Sequence, residues 1–311
     1  MAERIVVALG GNALGNTLAE QRLAVGHTAA VLAELAGAGY ELAVVHGNGP
    51  QVGLIQSGME ELERSGGAEA CPLHVCVAMS QGYIGFDLER ALRAALGARG
   101  LPDRVATVLT QVAVNPADPA FQTPSKPIGS FMTREAAEKA AREQGFAVRE
   151  DAGRGWRRVV ASPRPQKIVE LEQIAGLLTS GTIPIACGGG GIPVAADPAG
   201  AWQGVDAVID KDLAASLLAR ELGAKKLVIL TAVEKVAIGY RTPGETWLDT
   251  MTAREAEAYL RAGEFAPGSM APKVAAAVEF VRSGPGREAL ITLLDRAEEG
   301  ISGRTGTRIL P

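Results

Sequence analysis

The chain has 311 residues, 47 % of them hydrophobic and 21 % charged, with a formal net charge of −4. That length implies a large buried core and two lobes rather than one typical domain; the mild acidity, without a basic tail or basic stripe, excludes a nucleic-acid footprint. Cys71, Cys76 and Cys187 make no framework of paired spacings, which argues against a disulfide scaffold and for a reducing, cytoplasmic setting.

The apolar run in MAERIVVALGG is too short for a signal-peptide core or a bilayer span, and Ile5 to Leu9 is expected to be a strand. A helical pattern covers Thr17 to Gly37, a strand Leu42 to Val45, and two helices Val52 to Arg64 and Met79 to Leu96. Val105 to Val112 reads as one further strand. From about residue 115 to 165 the rhythm breaks into a proline-rich stretch with a short helix, Thr133 to Gln144, and a hairpin in AVREDAGRGWRRVVASP turning at Gly153 to Gly155. This stretch is expected to be an inserted subdomain. The alternation then resumes with a helix at Glu170 to Thr179, a strand at Ile183 to Ala186, a helix at Leu213 to Leu222, a strand at Leu227 to Leu230 and a helix beginning near Lys273. Strand runs with few charges, alternating with helices, predict an α/β fold whose parallel sheet is covered on both faces. Ligands of such sheets bind beyond the carboxyl ends of the strands.

Three of those strand ends run into glycine: ALGGNAL (8 to 14), HGNGPQVG (46 to 53) and IACGGGGIPV (185 to 194). Glycine lets a ligand approach backbone N–H groups closely, and the helix start that follows favours an anion. Gly188, Gly189 and Gly190 are therefore expected to join a phosphate cradle. No Gly-Lys dipeptide occurs, so a P-loop is excluded, and Gly47, Gly49 and Gly53 miss the dinucleotide fingerprint by one residue. No G-x-S-x-G elbow or protein-kinase H-R-D or D-F-G is present. Cys71, His74 and Cys76 lack the second ligand pair of a tetrahedral zinc site, so no metal ligands are assigned. His46 either lines the site or ends its strand as a buried neutral histidine.

Of the 31 basic residues only eight are lysine. Lys139, Lys225 and Lys226 read as surface cations, whereas Lys126, Lys211 and Lys273 sit in a proline-rich turn, at a strand-to-helix junction and at a helix start. A point-charge ammonium on a flexible stem can follow a phosphoryl group between donor and acceptor, where a guanidinium fork suits one geometry. In AVIDKDLAAS, one of Asp210 and Asp212 is expected to cap a helix while its other oxygen fixes an ammonium group. Phosphoryl transfer needs mainly positioned cations and backbone donors, and this set offers both.

The segments VVALGGNAL, HGNGPQVG, VAMSQG, ATVLTQV, KPIG, EDAGRGWRRVV, CGGGGIPV, AVIDKDLAA, LVILTAVEKV and FAPGSMAPK together resemble the carbamate kinases of the amino acid kinase superfamily, essentially end to end. The resemblance implies a three-layer αβα sandwich with an open, mostly parallel sheet, a small protruding subdomain and a homodimer. It implies phosphoryl transfer between carbamoyl phosphate and ADP, with Mg2+, giving ATP and carbamate. By that resemblance, residues 1–204 hold carbamate or carbamoyl phosphate and residues 205–311 hold the nucleotide. Gly10, Gly11, Asn12, Gly47, Asn48 and Gly49 would hold the moving phosphoryl group and the carbamate; Lys126 would reach carbamoyl phosphate from the subdomain, Lys211 the transferring phosphate and Lys273 the nucleotide phosphates, with Asp212 orienting the lysines. Thr231, Val236, Gly268, Ser269 and Met270 would surround ADP. Ala232 and Glu234 depart from the family pattern, and GYIGFDLER is more charged than the comparable helix. Two alternatives stand beside this reading: another amino acid kinase-type phosphotransferase acting on a carboxylate or phosphonate, and a catalytically silent nucleotide sensor.

Overall fold

The structure is a computed structural model that describes residues 2–10, 14–15, 18–151 and 153–311. In chain order, β1 (Arg4–Leu9), α1 (Leu18–Gly37), β2 (Glu41–His46), α2 (Gly49–Arg64), α3 (Leu73–Ala98), β3 (Val105–Thr107) and β4 (Gln111–Val114) come first. The insertion supplies β5 (Lys126–Met132), α4 (Arg134–Gln144), β6 (Ala147–Glu150) and β7 (Trp156–Val160). Then follow β8 (Pro165–Ile168), α5 (Leu171–Thr179), β9 (Ile183–Ile185), β10 (Ile192–Ala196) and β11 (Trp202–Gly204). The remainder is α6 (Lys211–Glu221), β12 (Lys226–Thr231), β13 (Val236–Ile238), β14 (Thr246–Leu248), β15 (Thr250–Thr252), α7 (Ala253–Ala262), α8 (Met270–Arg282), β16 (Glu288–Leu293), α9 (Ala297–Ile301) and β17 (Thr307–Leu310).

Eight strands form the main sheet in the order β15-β17-β16-β12-β1-β2-β9-β3. The central pairings, β12 with β1, β1 with β2 and β2 with β9, are parallel, while β16 and β17 pair antiparallel. Side chains alternate faces along each strand, and here both sets are apolar. Val6, Ala8, Ala43, Val45, Leu227 and Ile229 pack with α5, α6 and α8 on one face. Ile5, Val7, Leu9, Leu42, Val44, Val228 and Leu230 pack with α1, α3 and α9 on the other. The result is the three-layer αβα sandwich expected of strands without polar alternation. Each fully buried Leu, Ile or Val contributes roughly 1.5–3 kcal/mol, so the loops at the sheet edge spring from a rigid support.

Several boundaries differ from expectation. The run Val105 to Val112 is two strands in two sheets, because Thr110 ties the chain sideways: its N–H donates to Gln81 Oε1 at 2.8 Å and its Oγ1 accepts from the Cys187 N–H at 2.9 Å. α3 starts six residues before Met79, directly after Pro72, which holds the extended backbone a helix entry uses. α2 starts at Gly49, with Pro50 in its first turn, where a missing N–H costs nothing. The helix expected from Leu213 begins at Lys211 because Asp210 caps it. β10, β11 and the strands from Val236 onward escaped prediction; most are short, but β16, as long as β1, lies inside the main sheet beside β12. Lys226, expected at the surface, lies within β12, mostly covered and facing Glu3 and Glu288. Thr17, the expected start of α1, lies outside the described residues.

The insertion forms its own sheet, β5-β7-β6, with the hairpin turn where GRG predicted it. It docks on α2. A Cβ on Gly53 would lie 2.2 Å from Gly129 Cα, so the two backbones meet at a distance only glycine permits. Ile128 and Val160 share a small core with Val52, Leu73 and Val77, and Arg158 donates to Glu60 Oε1 at 2.8 Å. Among the described residues, no helix is long and apolar enough to cross a membrane.

Candidate active site

Parallel register brings four strand ends to one edge. Leu9 pairs with His46 and with Leu230, and Val44 with Ile185, so Gly10, Gly47, Gly188 and Thr231 leave the sheet together. The Gly10 N–H donates to Leu230 O at 2.8 Å, fixing the first loop at its root. Gly11 and Asn12 lie outside the described residues.

A buried polar layer under the glycine loops sets their shape. Asn48 stands at the amino end of α2 but makes no side-chain cap; its Nδ2 donates to Ser80 Oγ at 2.9 Å instead. Gln81 Nε2 donates to Gly188 O at 2.9 Å and to Thr110 O at 3.2 Å. Within VAMSQG, Ser80 and Gln81 are marked in the sequence only as two polar side chains on an otherwise apolar helix face. His46 is buried, and that burial lowers its imidazole to about 4. It is therefore neutral, with Nδ1–H donating to Gly47 O at 2.8 Å, which favours the buried strand-end reading. The glycines of CGGGG are there for space as well as for conformation: Gly189 has φ +66°, and a Cβ on it would lie 2.1 Å from Asn48 Nδ2. Gly189→Ala is expected to cost about 1–3 kcal/mol of stability through strain and through loss of the Asn48 bond, read as a lower denaturant midpoint.

The three singled-out lysines come together over this cradle. Asp210 Oδ1 accepts from the Asp212 N–H at 2.9 Å and caps α6, while its Oδ2 accepts from Lys126 Nζ at 2.5 Å. One aspartate thus caps and fixes an ammonium, as the sequence implied, but the ammonium arrives from the insertion. Asp212 joins the other two: Oδ1 accepts from Lys211 Nζ at 2.5 Å and Oδ2 from Lys273 Nζ at 2.9 Å. The Lys211 stem lies against Gly47, its Cδ 3.3 Å from where a Gly47 Cβ would be.

Charge in this cluster is balanced against burial. For Asp212, burial alone would raise the carboxyl, yet Lys211 and Lys273 hold it well below the usual carboxylate range. For Asp210, burial pulls upward, but Lys126 and Lys211 together hold it below the usual carboxylate value, so it too stays ionised. Burial lowers Lys211 to about 8 despite Asp212. Lys273 is lowered by burial but raised further by Asp212, and remains above the ordinary lysine value. Three ammonium groups against two carboxylates leave a net positive site, at the amino ends of α2, α6 and α8, where helix dipoles also favour an anion.

The proposed nucleotide residues are more dispersed. Thr231 ends β12 at the same sheet edge. Gly268 and Ser269 form the turn into α8, with Met270 its first residue, so they adjoin the segment that carries Lys273. Val236 opens β13, and its N–H is held by Thr307 Oγ1 at 2.8 Å. Lys235 pairs with Asp249, and Lys167 lies over Trp202. His74 faces Asp206 rather than a cysteine, its Nδ1 3.1 Å from Oδ1.

A parallel sheet with a glycine cradle and clustered lysines at its carboxyl edge defines a phosphotransferase scaffold. The amino acid kinase family profile matches residues 3–292, and the chain belongs to that family. Within it, the chain is 51 % identical over 310 residues to the carbamate kinase-like protein YqeA of Escherichia coli, covering 99 % of each chain. It is 48 % identical over 316 residues to a carbamate kinase of Pyrococcus horikoshii, covering all of both. The carbamate kinase of Giardia lamblia, solved with citric acid, superposes with a TM-score of 0.93 at 41 % identity, over 99 % of this chain and 98 % of that one. The chain therefore stands in the carbamate kinase branch of the family.

Proposed function

We propose that the chain is a carbamate kinase, moving a phosphoryl group reversibly between carbamoyl phosphate and ADP to give ATP and carbamate. The observation that carries this reading is the cluster in which Asp212 holds Lys211 and Lys273 while Asp210 holds Lys126. In the ATP-forming direction the O–P bond of carbamoyl phosphate breaks with its electron pair staying on carbamate, and a β-phosphate oxygen of ADP bonds to phosphorus. The backbone N–H groups of Gly47 to Gly49, Gly188 and Gly189 bind the group in transit, with Gly11 and Asn12 assigned there by resemblance, while the N–H groups of Gly10 and Gly190 hold their loops in shape through Leu230 O and Cys187 O. Lys211 follows the phosphoryl group, Lys126 meets it from the insertion, and Lys273 neutralises the nucleotide side. Asp212 sets the spacing of Lys211 and Lys273. No general base is required, since the transition state asks for positioned positive charge.

Both Asp212 oxygens are committed to lysines and both Asp210 oxygens to Lys126 and the helix cap. The cluster thus suits magnesium that arrives on the nucleotide phosphates with its own waters, and MgADP is the expected substrate. Thr231, Val236, Gly268, Ser269 and Met270 are assigned to the nucleotide, within a division of residues 1–204 for carbamate and 205–311 for ADP. The reading extends to a cytoplasmic homodimer serving arginine or carbamoyl phosphate metabolism. Exposed Leu23 on α1 and Phe86 on α3 leave apolar surface on two helices that a second copy would cover. The test is ATP formation from MgADP with carbamoyl phosphate and, in parallel, acetyl phosphate. Turnover of roughly 10 per second or more, well above the acetyl phosphate rate, is expected; no ATP from either donor, in protein that binds ADP, rejects the reading.

The Lys211 environment adds a pH signature. The ammonium works only when protonated, and burial lowers it to about 8. The value of kcat/KM for carbamoyl phosphate, which reports the free enzyme, is expected to fall as pH rises through that value. Lys211→Arg keeps the charge at every accessible pH, so this limb should vanish in a pH 6–10 profile.

A further inference from the structure

The loop HGNGP is flanked from two sides. On one lies the stem of Lys211 at Gly47; on the other lies a side chain of the insertion, Arg157 of β7. Its Nη2 is 3.6 Å from the position a Cβ on Gly49 would take, directly over the first turn of α2. The rest of the guanidinium is locked within the insertion. Nε donates to Gly129 O at 3.0 Å and Nη1 to Asp151 Oδ2 at 3.0 Å, and the guanidinium carbon lies 5.1 Å from the centre of the Phe131 ring. Asp151 is steadied in turn by Arg154, whose Nη2 donates to both of its oxygens at 3.1 Å. Only 11 % of the Arg157 side chain is exposed. Such an arginine is pre-organised, with one edge left over the glycine loop. A fixed planar fork is the wrong tool for a moving phosphoryl group and the right one for a planar oxyanion that stays in place.

Resting on the carbamate kinase reading, we propose that Arg157 is a substrate-binding residue for the carbamate end: its Nη2 donates to an oxygen of the carbamoyl group and stabilises the anion that forms as the O–P bond breaks. The lysines serve the phosphoryl group and Arg157 serves the leaving group. Carried by the insertion, it engages that group while the insertion is docked on α2 through Gly53 and Gly129.

The experiment is steady-state kinetics in both directions on wild type, Arg157→Gln, Arg157→Lys and two controls, Arg154→Gln and Arg158→Gln. Arg154 is exposed, and Arg158 tethers the insertion to Glu60, so the controls measure loosening of the subdomain. Losing one charge-assisted hydrogen bond to the developing anion predicts a fall in ATP-forming kcat of about 10- to 100-fold in Arg157→Gln, with KM for MgADP unchanged. In the reverse direction KM for carbamate should rise. Added guanidinium ion should restore part of the activity of Arg157→Gln, and Arg157→Lys should fall between. An Arg157→Gln enzyme no slower than Arg158→Gln, or one that loses MgADP affinity in step with turnover and is not rescued, overturns the assignment while leaving the kinase reading intact. A wild type that makes no ATP from carbamoyl phosphate overturns both.

Discussion

Lys211→Ala is expected to lower turnover by two or more orders of magnitude while the protein keeps its fold. An ammonium about 4 Å from a phosphate oxygen is worth about 4 kcal/mol at an effective dielectric near 20, and about 1.4 kcal/mol is a tenfold change in rate. The side chain is buried, its stem packs on Gly47 and its charge is shared with Asp212. Burial already lowers its ammonium from the ordinary lysine value, so removing it relieves a desolvation cost that offsets the lost ion pair. The melting temperature should therefore move little. The check is kcat for ATP formation beside a thermal melt; an alanine variant with near wild-type turnover removes Lys211 from the mechanism.

Asp212→Ala should do more damage, because it strikes activity and stability together. It leaves Lys211 and Lys273 buried, facing each other and without their shared carboxylate. Breaking a buried pair from one side typically costs 3–5 kcal/mol. Turnover should fall at least as far as in Lys211→Ala, since both lysines lose the group that spaces them. The stability loss carries its own pH sign. As pH rises toward 8, Lys211 of the variant, lacking the carboxylate that in wild type holds it up at about 8 against burial, sheds its proton and the repulsion disappears. The gap in denaturant midpoint between wild type and Asp212→Ala should narrow over that range. A gap that widens would mean that Asp212 does not serve to hold two like charges together. Asp212→Asn, which keeps the shape, should show the same narrowing.

The sequence carried the core more clearly than the margins. β1, β2 and β12 were legible because strands covered on both faces are uninterrupted apolar runs, and the lysine cluster was legible because lysine is scarce in an arginine-rich chain. The split of Val105 to Val112 was not, since what breaks the strand is Thr110 bonding to Gln81 and Cys187, far away along the chain. The partner of Asp210 was hidden for the same reason. Local pattern pointed to a neighbouring lysine, whereas Lys126 arrives from a docked insertion 84 residues away. Arg157 was equally invisible: within RGWRRVV nothing marks one arginine over its neighbours, and only the strand register turns its tip toward Gly49.

The most direct test of the central claim follows phosphorus itself. Carbamoyl phosphate and MgADP mixed with wild type and with Lys211→Ala can be watched by 31P NMR. The account predicts that the carbamoyl phosphate resonance gives way to the γ-phosphate of ATP at matched rates in wild type, with inorganic phosphate only at the spontaneous rate and almost no change in the variant. Inorganic phosphate appearing in place of ATP, or equal ATP formation by both proteins, would contradict it.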